Sequence, residues 1–154
     1  MKILIFAPYY FPHNYGITVC IDEFTKFISP KVEKITIITP QVFRDSQESE
    51  FRYDNVEIIR FPAFYLVHNY PFPKLWKFRT WKILIKLIKN HKEYNLVVTT
   101  IRFFLVSFLG IIYAKIFKIK SMHIEQVGNF TILSNKIVTF FAKVYDYTLG
   151  NLVF

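Results

Sequence analysis

Lys2 to Ala7 reads KILIFA, a continuous apolar run closed by Pro8. A run of that length without alternation predicts a strand buried on both faces of a parallel sheet. After the loop PYYFPHNYG, the segment Ile17 to Ile28 spaces Val19, Phe24, Phe27 and Ile28 near a helical period and stops before Pro30, predicting a first helix. Glu33 to Thr39 (EKITIIT), stopped by Pro40, and Val56 to Phe61 (VEIIRF), stopped by Pro62, are β-branched runs of strand length. Gln41 to Asp54 between them is polar and charged and reads as loop.

Residues 74 to 92 form the longest helical candidate, followed by the strand Asn95 to Thr100 (NLVVTT). A Phe-, Leu- and Ile-rich helix is predicted over Phe103 to Phe117, a strand over Ile119 to Ile124, and a last helix over Leu133 to Leu149 before Gly150. The pattern β-α-β-β-α-β-α-β-α predicts an α/β fold, a doubly wound parallel sheet with right-handed crossovers. The closing Asn151-Leu152-Val153-Phe154 begins a new apolar run just after a helix-ending Gly, so the expectation is a domain cut from a longer chain.

Composition narrows this picture. With 154 residues, 53% of them hydrophobic and 19% aromatic, the chain makes one domain with a full core and is no disordered tail. A lone Cys20 and four scattered His exclude an internal disulfide and the usual Cys-rich zinc site, so no metal is expected and a cytoplasmic setting fits. The longest apolar run, Phe103 to Ala114, is too short for a membrane span, and the N-terminus lacks a signal-peptide cleavage site. The charge of +9 is lopsided: residues 1–73 carry net −1 and residues 74–154 net +10. Such asymmetry points to a polyanionic partner: nucleic acid, an anionic membrane surface or a phosphorylated substrate.

Ligands of an open parallel sheet bind at the carboxyl ends of its strands, so two loops hold the candidate chemistry. Pro8 to Gly16 has one Gly where a dinucleotide fingerprint needs three, and the chain has no Walker Gly-Lys-Ser/Thr. What remains is Gly16 at a helix start, where free backbone N–H groups approach a phosphate or a sugar hydroxyl, or where the Gly serves only a tight turn. The second loop, His123-Ile124-Glu125-Gln126-Val127-Gly128-Asn129, gathers an imidazole, a carboxylate and a carboxamide after a buried strand. Alternation along an extended segment sends His123 and Glu125 to one side and Gln126 to the other.

The opening KILIFAPYYFPHNYGITVCIDEF, the segment TTIRFFLVSFLGIIYAKIFKIKSMHIEQVGNF and the helix IVTFFAKVYDYTLGNLVF together resemble the N-terminal half of glycosyltransferase family 4 enzymes. The resemblance is strongest over residues 95–154, where the His123 loop, Tyr145-Asp146 and Leu149-Gly150 stand in the family's order. It implies a Rossmann-like N-terminal domain of the two-domain GT-B fold and a retaining transfer from a nucleotide-sugar donor to an acceptor held mainly by this domain. Tyr15 stands where the family often has the first Gly of a pair, leaving Gly16, and the family's active-site His corresponds to His123 or is replaced by Gln126. The implied site is therefore His123, Gln126 and Glu125 for catalysis, with Tyr15, Gly16, Gly128 and Asn129 against the acceptor. The family's pair of Glu separated by seven residues, which marks its donor-binding C-terminal domain, has no counterpart here. The expected partner is thus a C-terminal donor-binding domain or a separate chain, with no cofactor of the domain's own.

One more segment calls for a reading. In KLWKFRTWKILIKLIKNHK, Lys82, Lys86, Lys89 and Lys92 fall on one helical arc, with Trp76, Trp81, Ile83, Leu84, Leu87 and Ile88 largely opposite. That is either an interfacial helix, with Trp76, Trp81, Lys82, Lys86 and Lys89 contacting an anionic membrane, or a sheet-covering helix with solvated lysines. Phe64, Tyr65, His68 and Tyr70 just before it are candidates to stack on a sugar or grip a lipid. The resulting expectation is an acceptor-binding domain acting on a glycan or lipid-linked acceptor, cytoplasmic and peripheral on the inner membrane face. The alternative is a non-catalytic membrane-recruiting subunit of a split transferase. No nucleic-acid-binding signature is present, and lysines opposite a Trp and Ile face argue against that partner.

Overall fold

A computed structural model describes residues 1–13, 16–41, 46–65, 70–125, 136–145 and 147–148. Its strands are β1 (Lys2–Phe6), β2 (Lys34–Gln41), β3 (Ser49–Arg52), β4 (Val56–Tyr65), β5 (Pro71–Pro73), β6 (Leu96–Thr100) and β7 (Lys120–Ile124). Its helices are α1 (Gly16–Ile28), α2 (Phe78–Lys89), α3 (Leu105–Phe117) and α4 (Lys136–Tyr145). The strand order is β3-β4-β2-β1-β6-β7, with β5 pairing β4 off this path. The run β4-β2-β1-β6-β7 is parallel throughout, the expected doubly wound, Rossmann-like arrangement. Phe6 pairs Thr99 and Thr99 pairs His123, so the ends of β1, β6 and β7 stand level at one rim of the sheet.

The unbroken apolar run of β1 is explained by its place in the centre. Ile3, Leu4 and Ile5 are fully buried because the strand has neighbours on both sides and helices on both faces. Each such side chain contributes roughly 1.5–3 kcal/mol of apolar burial. Ile3, Ile5, Ile35, Ile37, Val56 and Ile58 pack with Ile17 and Ile21 of α1 on one face. Leu4, Phe6, Ile38, Ile59 and Val97 pack with Leu87 of α2 and Val106, Tyr113 and Ala114 of α3 on the other.

Several elements differ from the sequence expectation. β2 continues through Pro40 to Gln41, and β4 continues through Pro62 to Tyr65. Ile38 accepts from Ala7 at 3.0 Å, so by alternation the missing N–H of Pro40 also points toward β1, which has already ended. The Arg60 N–H points outward to Glu48 O at 2.9 Å, so Pro62, two residues on, likewise lacks its donor on the β3 side, past the last β3 pair at Ser49. A proline is tolerated where no ladder bond is lost. The expected loop Gln41 to Asp54 contains β3, an antiparallel edge strand whose residues SEFR alternate between exposed and half-buried. Such a strand is held by backbone pairing and charge, with little apolar signal to announce it. The helix expected over residues 74–92 is shorter, α2, preceded by a turn in which Lys77 N–H donates to Lys74 O at 3.0 Å.

Candidate functional site

At the carboxyl end of β7, alternation places His123 and Glu125 on one side, as expected. His123 Nε2 lies 3.1 Å from Glu125 Oε2, and its Nδ1 lies 2.9 Å from Thr99 Oγ1 on the neighbouring strand. A carboxylate only accepts, so a neutral ring carries its proton on Nε2 and accepts the Thr99 hydroxyl at Nδ1. Glu125 in turn receives the Arg102 backbone N–H at 3.3 Å, with the Arg102 guanidinium Nε at 3.9 Å. The two side chains differ in access: 19% of His123 and 30% of Glu125 is exposed.

The turn carrying Arg102 is itself a special structure. Ile101 holds φ at 52°, a left-handed conformation that strains a β-branched residue. It is held by its N–H bond to Ile124 O at 3.1 Å and by Tyr145 of α4, whose hydroxyl donates to Arg102 O at 3.0 Å. On the next residues, the Tyr70 hydroxyl donates to Phe103 O at 2.8 Å and accepts from Leu105 N–H at 2.7 Å, and its ring stacks on Phe104 at 5.0 Å. Tyr70 is therefore a clamp on the start of α3. Phe64 and Tyr65 lie in β4 and not in a loop, and His68 lies outside the described residues.

The first loop is anchored from a side that sequence reasoning missed. Tyr10 O–H donates to Asp22 Oδ1 at 2.7 Å, and Asp22 also receives Arg52 Nη2 and the Tyr53 hydroxyl, each at 3.0 Å. Burial pushes the Asp22 carboxyl up, but the hydrogen bonds from Arg52, Tyr10 and Tyr53 outweigh it and hold it below the usual range. Arg60, only 2% exposed, donates to Phe11 O at 2.7 Å, Gln47 O at 2.9 Å and Glu50 Oε1 at 2.5 Å. The Arg52 guanidinium lies 3.9 Å from the centroid of the Phe11 ring. The one available signal was Arg60 inside the buried run VEIIRF, since a buried guanidinium needs partners.

Gly16 opens α1 without a positive φ, and a Cβ there would meet nothing within 4 Å among the described residues. It is thus not required by a strained turn, and no described residue fills the space beside it. The spacing of parallel strands, about 4.8 Å each, puts the end of β1 roughly 10 Å from that of β7 across the rim. Tyr15, Gln126, Gly128, Asn129 and Asp146 lie outside the described residues. On α2, Lys86 forms an ion pair with Glu57 of β4 at 3.3 Å, whereas Lys82 and Lys89 form none with a described residue. Burial raises the Glu57 carboxyl, yet the bond from Lys34 and the charges of Lys86 and Lys34 leave it net lowered. Trp76 and Trp81 are exposed. Among the described residues there is no cluster of three His, Cys, Asp or Glu that could hold a metal ion. No described helix is long and apolar enough to cross a membrane.

No protein-family model matches the chain. Along its whole length it is 36% identical to an uncharacterized glycosyltransferase of Methanocaldococcus jannaschii, and it spans 39% of that relative's length. Two solved structures of sucrose-phosphate synthase from Thermosynechococcus elongatus share its fold. One superposes with a TM-score of 0.52 at 13% identity over 95% of this chain and 71% of that one, the other with 0.54 at 10% identity over 92% and 38%. The chain is therefore similar, end to end, to part of a glycosyltransferase, and it folds as one doubly wound α/β unit of the kind found in sucrose-phosphate synthase.

Proposed function

We propose that this chain is the acceptor-binding, N-terminal domain of a retaining glycosyltransferase of family 4, working with a C-terminal domain or partner chain that holds a nucleotide-sugar donor. The observation that carries the reading is the 36% identity with a glycosyltransferase along the entire chain. The rim geometry adds chemistry to it. An acceptor hydroxyl that enters between His123 Nε2 and Glu125 accepts the imidazole N–H and donates its own proton to the carboxylate, replacing the direct 3.1 Å contact. Thr99 keeps the ring in the tautomer that allows this, and the Arg102 N–H aims the carboxylate. The Gly16 backbone receives another hydroxyl of the acceptor, and the family resemblance alone adds Tyr15, Gly128 and Asn129 as acceptor-contacting residues and Gln126 as a catalytic one. The acceptor is a glycan or a lipid-linked sugar at the cytoplasmic face of a membrane.

The test uses the protein together with its donor-binding part. His123→Ala should lower kcat/KM for sugar transfer by at least about 10²-fold, and Gln126→Ala by less. Residues 1–154 alone should turn over no nucleotide sugar, because donor and acceptor have to meet in one cleft. Turnover by the isolated chain, or a reversed ranking of the two variants, overturns this assignment of roles.

A further inference from the structure

Helices α2 and α3 cover one face of the sheet incompletely and leave a groove of about 410 Å³ between them, within the roughly 300–1,000 Å³ of small-molecule sites. Its walls include Phe61, Leu84, Ile88, Leu109, Ile112 and Ile116. The three polar groups in the lining are turned to the protein: Thr80 Oγ1 donates to Lys74 O at 2.8 Å, Tyr113 O–H to Leu87 O at 2.8 Å and Trp81 Nε1 to Leu75 O at 2.6 Å. The side-chain donors of the lining are thus all spent inside the protein, which disfavours a sugar or a nucleotide and suits bare hydrocarbon.

The surface around the groove has the chemistry of a membrane interface. Trp81 lines the groove and is 46% exposed, and Phe78, the first residue of α2, is 81% exposed. Lys82 and Lys89 stand three and four residues from the exposed Ile85 and so flank it on the helix surface. Neither α2 nor α3 contains an Asp or Glu. A second copy docking here would set these lysines against each other, whereas an anionic lipid headgroup neutralises them.

We infer that the α2–α3 face is a membrane-docking surface whose groove seats one hydrocarbon chain of an anionic bilayer lipid, with Lys82 and Lys89 on its headgroups. This deepens the proposed transfer at a membrane by saying which face meets it. The test is run without nucleotide sugar, so its failure leaves the transfer reading standing. Chain 1–154 carrying Trp76→Phe, with Trp81 as its sole tryptophan, is mixed with vesicles of phosphatidylglycerol and phosphatidylcholine in equal parts or of phosphatidylcholine alone. Trp81 fluorescence should be quenched by lipids brominated along their acyl chains in the anionic vesicles. Lys82→Gln with Lys89→Gln should weaken binding roughly 30-fold at low salt and much less at high salt. Leu109→Asp, at a solvent-exposed groove position, should abolish quenching with the circular dichroism unchanged. Equal binding to neutral vesicles, absence of quenching, or lipid-free self-association that Leu109→Asp removes would each overturn the inference, the last by showing a second copy in the groove.

Discussion

The two faces of the sheet are finished in opposite ways. On the α1 face the apolar core runs into a closed polar network, in which Asp22 gathers Tyr10, Arg52 and Tyr53 and leaves little for solvent to reach. On the α2–α3 face the core ends at a groove whose upper walls remain exposed, with Leu84, Ile88, Leu109 and Ile116 all open to solvent. One parallel sheet thus supports a sealed side, which fixes the loop above it, and an unfinished side, which presents hydrocarbon surface. Helix α2 belongs to both descriptions, because Leu87, Ile83 and the Lys86–Glu57 pair hold it down while Leu84 and Ile88 stay uncovered.

The largest effect should separate buried from uncovered leucines on α2 itself. Leu87→Ala should cost about 2–5 kcal/mol in urea unfolding, and Leu84→Ala should stay within about 0.5 kcal/mol. Comparable losses would mean that the groove is closed in solution. On the sealed face, Asp22→Ala should cost about 2–3 kcal/mol. It strips three donors of their acceptor, but the Arg52 side chain is 35% exposed and water makes good part of its loss. A next, smaller contrast uses two glycines. A Cβ on Gly110 of α3 would come within 2.7 Å of Phe6 and Thr99 side-chain atoms, so Gly110→Ala should destabilise by about 1–3 kcal/mol. Gly16→Ala, with open space and no positive φ, should leave stability unchanged or raise it by a few tenths of a kcal/mol while weakening any acceptor that approaches that backbone.

The pH dependence should also come from both faces, with the smallest amplitude. Asp22 and Glu57 have folded-state pKa values below their unfolded values of about 3.9 and 4.3. A depressed carboxylate contributes its full stability above the unfolded pKa and loses it as pH falls through the folded one. Thermal melts should therefore be flat above about pH 5 and fall steadily below pH 4. Asp22→Asn should remove part of that slope, with the remainder assigned to Glu57 by Glu57→Gln. A slope unchanged by both variants would place acid sensitivity elsewhere.

Some of this architecture could be read without coordinates, for reasons visible in particular residues. KILIFA and NLVVTT are central parallel strands because their apolar runs have no polar face to offer, and helices with a 3.6-residue period between them force the doubly wound crossover. The pairing of His123 with Glu125 followed from the two-residue period of an extended chain. β3 did not announce itself because Ser49, Glu50 and Arg52 earn their places through partners more than two dozen residues away or across the sheet, Asp22 and Arg60 among them. Pro40 and Pro62 looked like strand ends because a missing N–H is harmful only if a neighbour was to receive it, and that depends on where β1 and β3 stop.

The sequence by itself determined the α/β class, the order of the central strands' elements, the basic second half and the pairing of His123 with Glu125 on one side of the chain, since each rests on local periodicity or composition. Tertiary structure alone decided that Thr99 and Arg102 flank the His123–Glu125 pair, that Arg60 reaches Phe11 across 49 residues, and that α2 and α3 leave a groove between them. Those contacts depend on strand register and on the distance between helices docked on one sheet, which are properties of the packed whole and leave no local mark on the chain.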